Sequence, residues 1–233
     1  MSFYARLQTE TAVGRDYLLA SPLIKRALAR EISLPEYAAY LCQAYHHVRH
    51  TTPLLMATGA RLRPDQEWLR EAIAEYIEEE LGHQEWILND IAACGFDPEK
   101  ARHSQPNAAT ELMVAYAYDT INRVNPLGFF GMVQVLEGTS IRIADAAASA
   151  IQETLGLPNR AFSYLRSHGA LDQDHIKFFE GLMDRIAEPT DQVQIIHSAS
   201  MFYRLYGDVF RSVDGVQAAL LARDPVAGLA ACR

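Results

Sequence analysis

Hydrophobic positions recur every three to four residues through most of the chain, and no segment holds the strict alternation of a half-buried strand. The pattern predicts an all-α fold. A helix opens at Ser33, which stands three residues before Glu36 with Pro35 in the first turn; it runs towards Ala60, and Pro53 should kink or break it. Pro64 begins a second helix, expected to continue unbroken through Glu80 and His83 to Cys94, where Gly95 and Pro98 stop it. A third runs from Asn107 to Arg123, Asn125 and Pro126 interrupt the chain, and a fourth extends from about Leu127 to Leu155. After the turn at Gly156 and Pro158 come a short helix through Leu165 and then a helix bearing Asp172 and His175. The stretch Glu188 to Asp191 closes that helix and can cap the last one, from about Gln192 to Val213. No fixed-period repeat is evident, and the lengths predict a bundle of about seven or eight helices.

Composition narrows the setting. The 233 residues, 49% of them hydrophobic, suffice for one large core, and no Pro/Gly/Ser-rich stretch divides them, so residues 1–233 read as one domain. A net charge of -8 with interspersed signs argues against nucleic-acid binding. Cys42, Cys94 and Cys232 form no close pair, which suggests neither a disulfide framework nor a thiolate zinc site and fits a reducing cytoplasm. The N-terminus acquires charge too early for a signal peptide, and the longest uncharged stretch, Val124 to Leu136, is too short to span a membrane.

Against this background one run stands out. On a helix turning roughly 100° per residue, Asp172 lies about 40° from His168, and His175 lies about 20° from it on the other side. Two imidazoles and a carboxylate therefore share one face. Glu80 and His83, three residues apart, and Glu137, in a long uncharged stretch, could complete a set of three carboxylates and three histidines suited to two irons or two manganese ions. Each part has a plainer reading. Glu78, Glu79 and Glu80 could be a solvated face, and His83 could bond a neighbour. Glu137 could pair with Arg123 or Arg142, although the run from Pro126 to Leu136 carries no charge and implies a largely buried helix. His168, Asp172 and His175 could form an ordinary Asp-His hydrogen bond on a polar face.

The His-x-x-x-Asp-x-x-His run, following an upstream Glu and an earlier Glu/His helix, resembles the haem-oxygenase-like diiron oxidases and oxygenases, a group within the haem-oxygenase/TenA-like fold. The resemblance covers roughly residues 30–213. It implies a dinuclear non-haem iron site, with manganese as an alternative metal, that activates O2 to oxidise or fragment a small organic substrate. Its ligands would be Glu80, His83, Glu137, His168, Asp172 and His175. The spacing of the first Glu and His varies within the family, so Glu79 or Glu85 could stand in for Glu80. Asp174 could orient a ligand imidazole or simply face solvent.

Other features leave further readings open. His46 and His50 share a helix face beside His47, a spacing that suits a pocket, a helix contact or a second metal pair. Gly128, Gly131 and Gly138 suit close packing more than a ligand cavity. Phe129, Phe130, Tyr116, Tyr118, Phe178 and Phe179 read as core before pocket. A TenA-like thiamin-salvage hydrolase would need a cysteine nucleophile, for which Cys42 and Cys94 lack a persuasive setting. A cofactorless oxidase resembling quinone synthases, a haem-degrading enzyme and a non-catalytic binding protein share the fold. The long amphipathic helices are compatible with a homodimer.

Overall fold

The computed structural model describes residues 1–223, and for residues 168–176 the helical backbone alone. The helices are α1 (Phe3–Glu10), α2 (Ala12–Leu19), α3 (Pro22–Leu28), α4 (Leu34–Val48), α5 (Thr51–Gly59), α6 (Glu67–Glu80), α7 (His83–Ala93), α8 (Pro98–His103), α9 (Ala108–Asp119), α10 (Phe129–Leu155), α11 (Ser163–Arg185) and α12 (Pro189–Ser212). No strand occurs among the described residues. The helices outnumber the seven or eight expected because α1, α2, α3 and α8 were not expected and two of the expected helices each break in two.

The break before α5 comes at Arg49 and His50, so that Pro53 lies in the first turn of a new helix, where its missing N–H costs nothing. Between α6 and α7, Leu81 turns extended and Gly82 takes φ 92°, a left-handed conformation that glycine adopts without a Cβ penalty. The expected single helix from Pro64 to Cys94 is therefore two. In the opposite sense, the expected short helix before α11 is only a 3-10 turn, Asn159–Ala161, and α11 runs as one piece.

The caps follow local chemistry. Ser33 Oγ accepts from the Glu36 N–H at 3.4 Å while Glu36 Oε2 accepts from the Ser33 N–H at 2.9 Å, a reciprocal capping box that opens α4. Asn107 accepts from the Thr110 N–H and starts α9. Asn125 ends a π-helical turn, Thr120–Val124, and its side chain accepts from the Leu127 N–H as the chain turns into α10.

Two buried aspartates tie distant segments. Asp90 of α7, fully buried, accepts from the backbone N–H groups of Ser163 at 3.0 Å and Tyr164 at 2.9 Å and so caps α11 from a neighbouring helix. Asp191, in the first turn of α12, accepts from Arg63, Gln66 and Asn125. Around them α10, α11 and α12 pack as the long core of the bundle. Gly131 lets α10 approach α12 closely, since a Cβ there would stand 2.5 Å from the Ala199 backbone nitrogen. No helix among the described residues is long and apolar enough to cross a membrane.

Candidate metal centre

A cavity of about 1190 Å³ of atom-free space, its open mouth included, lies among α3, α4, α5, α6, α10, α11 and α12. Its wall is mainly aliphatic and aromatic, from Leu23 and Ile24 of α3 to Ile143 and Ala147 of α10. Glu80 and Glu137 are the only carboxylates among the described lining residues, and no lysine or arginine joins them. His47 supplies an imidazole to the same wall.

Glu80 is the last residue of α6 and His83 the first of α7, so the pair does not share one helix as the sequence pattern suggested. The turn at Gly82 nevertheless brings His83 Nδ1 to 3.0 Å from Glu80 Oε2. His83 is buried and its ring lies against Trp86, with centroids 3.9 Å apart. Of the acidic run, Glu78 and Glu79 face solvent and Glu80 is half-buried. Glu85 is engaged elsewhere: Arg102 grips it through two bonds of 2.9 Å and holds its carboxyl below the usual range.

Glu137 sits in the N-terminal half of α10 with Oε2 buried. One partner considered for it is taken, because Arg123 forms a two-point ion pair with Asp119. The side chains of His168, Asp172, Asp174 and His175 lie outside the described residues; their backbone belongs to α11, which packs along α10. Among the described residues, no three His, Cys, Asp or Glu side chains make a metal-holding cluster by themselves. Glu80 and Glu137 thus offer oxygen donors in the wall of a cavity bordered by α11, and His83 stands beside Glu80 with a nitrogen donor, a combination of the kind iron accepts.

The histidines of α4 separate into two roles. His46 Nε2 lies 2.8 Å from Ser104 Oγ, and His50 Nδ1 lies 3.1 Å from the Tyr118 hydroxyl. Burial, then the nearby Arg49, pushes the His46 imidazole down to about 4, so it stays neutral near pH 7. His47 faces the cavity with both ring nitrogens buried and its ring edge-on to Tyr206 at 5.5 Å. The sequence reading left His47 in the cluster without a role of its own. The available signal was its seven-residue spacing from Tyr40, which lines the same cavity. Tyr40, buried and pushed up to about 12, shares hydrogen bonds with Tyr206 and Tyr164, both also in the wall. Of the aromatics read as core, Phe130 and Phe179 are core and Phe129 also lines the cavity.

Neither described cysteine is poised for nucleophilic work. Cys94 is buried and its thiol is pushed up to about 12, while Cys42, also raised by burial, contacts Ser104 at 3.5 Å.

The sequence profile of a family described as iron-containing redox enzymes matches residues 38–207. The chain belongs to that family. The matched span runs from α4 into α12 and takes in the six positions, Glu80, His83, Glu137, His168, Asp172 and His175, that the sequence resemblance implies as ligands. Its fold is that of haem oxygenase. It is similar to a haem-oxygenase-like domain of unknown function from Shewanella denitrificans, with 25% identity, a TM-score of 0.80 and coverage of 90% of this chain and 91% of that one. A TenA homologue from Pseudomonas syringae shares 14% identity at a TM-score of 0.74, over 92% of this chain and 93% of that one. Haem oxygenase-1 from Synechocystis, solved in complex with haem, shares 10% identity at a TM-score of 0.73, over 94% of this chain and 95% of that one. The last two likenesses are of fold alone. No curated protein matches the sequence.

Proposed function

We propose that this iron-containing redox enzyme is an O2-activating oxidoreductase that holds two irons between α6, α7, α10 and α11 and oxidises or cleaves a small organic molecule in the apolar cavity. The observation that carries the reading is the pair Glu80 and Glu137, two carboxylates in the wall of a cavity that is otherwise mainly apolar and has no lysine or arginine among its described lining residues. Carboxylate oxygens facing one cavity are donors of the kind iron accepts, and iron is the metal that the family description supplies. His83 would add a nitrogen donor beside Glu80, and His168, Asp172 and His175 would complete the set from α11.

Bound iron would supply one-electron chemistry and a binding position for O2. The chain's own contributions are separate from that. The Gly82 turn sets the His83 ring against Glu80, and Trp86 covers the ring face and limits its rotation. Aliphatic side chains of α3 and α10 exclude water and favour the apolar body of a substrate. The hydrogen-bonded hydroxyls of Tyr40 and Tyr206 remain protonated and, with Tyr164, offer polar contacts within that wall.

Iron content after purification from iron-replete cells tests the reading. About two irons per chain in the native protein, lost in both Glu137→Ala and Asp172→Ala, would support it; equally low iron in all three proteins would overturn it. A thiaminase assay and a haem titration distinguish the hydrolase and haem-degrading alternatives, and a Soret shift on adding haem would favour the latter.

A further inference from the structure

The three glycines of α10 and its approach part company in the structure. Gly128 and Gly131 pack tightly, whereas a Cβ at Gly138 would meet only Gln134 Nε2, at 3.4 Å. Space is therefore left above Gly138. It opens into a groove between α1, α2 and α10, lined by Tyr4, Gln8, Arg15, Gln134, Gly138 and Arg142 among others. Glu80 and Glu137 belong to the other cavity and do not line this one.

The groove's charge is one-sided. Its only formally charged side chains among the described residues are Arg15 and Arg142, and no aspartate or glutamate lines it, in a chain of net charge -8. Two acids lie close by on α11: Asp184 accepts from the Tyr4 backbone N–H at 2.8 Å, and Glu180 acts on the Tyr4 hydroxyl from a distance. Neither lines the groove.

The polar side chains are arranged as donors. Arg15 Nη1 donates to Gln8 Oε1 at 3.0 Å, which leaves the Gln8 amide nitrogen to donate to the Tyr4 hydroxyl. The Tyr4 oxygen is thereby used as an acceptor and its own proton is available to a ligand. Gln134, only 3% exposed, turns its side chain into the groove and makes no side-chain hydrogen bond among the described residues. The amide is not sealed in the interior and faces the groove, where a ligand or water can meet it.

We propose that this groove binds a small oxyanion, an organic carboxylate, between Arg15 and Arg142 over the floor left by Gly138. A carboxylate accepts from a guanidinium through two parallel bonds and has lone pairs left for the Gln134 amide and the Tyr4 hydroxyl. Ile141 and Ala12 give its carbon skeleton an apolar contact. The site lies apart from the cavity that carries Glu80 and Glu137, so its occupancy does not depend on iron.

Calorimetric titration of the full chain with acetate, succinate and inorganic phosphate, each against sodium chloride of equal ionic strength, tests the proposal. The expected result is saturable binding of a carboxylate, weakened about tenfold or more by Arg142→Met and by Gly138→Leu, which projects a side chain into the groove. Arg142 is exposed, so its substitution leaves the fold intact; should Gly138→Leu fail to fold, Arg15→Met takes its place under the same criterion. Absence of saturable binding, binding of phosphate alone, or carboxylate binding that survives either substitution overturns the proposal.

Discussion

Asp90 and Glu137 are both carboxylates carried into the interior by long helices, yet their surroundings differ in kind. Asp90 directs its oxygens at the first N–H groups of α11, and the helix end takes the place of water. Burial raises its carboxyl above the usual range, while the bonds from Ser163 and Tyr164 offset part of that rise. Asp191 follows the same plan, with donors from Arg63, Gln66 and Asn125. Glu137 and Glu80 instead open on a cavity. Burial of a carboxylate therefore does not by itself mark chemistry; what distinguishes the two regions is whether backbone ends or a ligand-sized space receive the charge.

The largest expected effect separates them by metal. Glu137→Ala should weaken iron binding by at least about 10–100-fold, the loss typical even of residues behind a ligand, while changing the stability of the iron-free protein by less than about 1 kcal/mol. Elemental analysis and denaturant unfolding of the same sample read both quantities; unchanged iron would remove the distinction. Next, Asp90→Ala should destabilise the fold by about 2–3 kcal/mol while iron per folded chain stays at the native level, because it strips the cap from α11 without touching the cavity. Asp90→Asn, which removes the desolvated charge and keeps one acceptor, should cost less.

A smaller loss, about 1–2 kcal/mol in urea unfolding, is expected for Asp191→Ala, since Arg63 is half exposed and regains water when its partner goes. Iron loss in this variant would blur the contrast between tie and ligand. The smallest effect concerns His46, a buried group that, like Asp90, is satisfied locally. In the unfolded chain its imidazole takes a proton near pH 6.5, and in the folded chain only near 4. The unfolded state therefore binds more protons in that window, and stability should fall as pH drops from 6.5 towards 4. Melting temperatures across this range should show a shallower slope for His46→Asn than for the native protein.

Much of the scaffold was readable in the chain because its signals are local. Ser33 and Glu36 form the capping box that their spacing implies, and Asn125 with Pro126 divides α9 from α10. Gly82 was misread because an isolated glycine in a helical pattern is usually tolerated, and nothing nearby in sequence shows that its φ is positive. Glu137 stood out through the uncharged residues before it. His47 did not, since its neighbours His46 and His50 carry the same chemistry and are distinguished only by Ser104 and Tyr118, more than fifty residues away.

The sequence by itself determined the all-α class and most helix ends from residue 33 onward, because periodicity and capping act within a few turns of one segment, and it offered residue types able to hold a metal. Tertiary structure decided that Glu80 and Glu137 share a cavity, that Glu85 belongs to Arg102, and that Gly131 packs while Gly138 leaves room. These outcomes depend on how helices distant in sequence are placed, and the direction in which a side chain faces is fixed only when its neighbouring helix is in position.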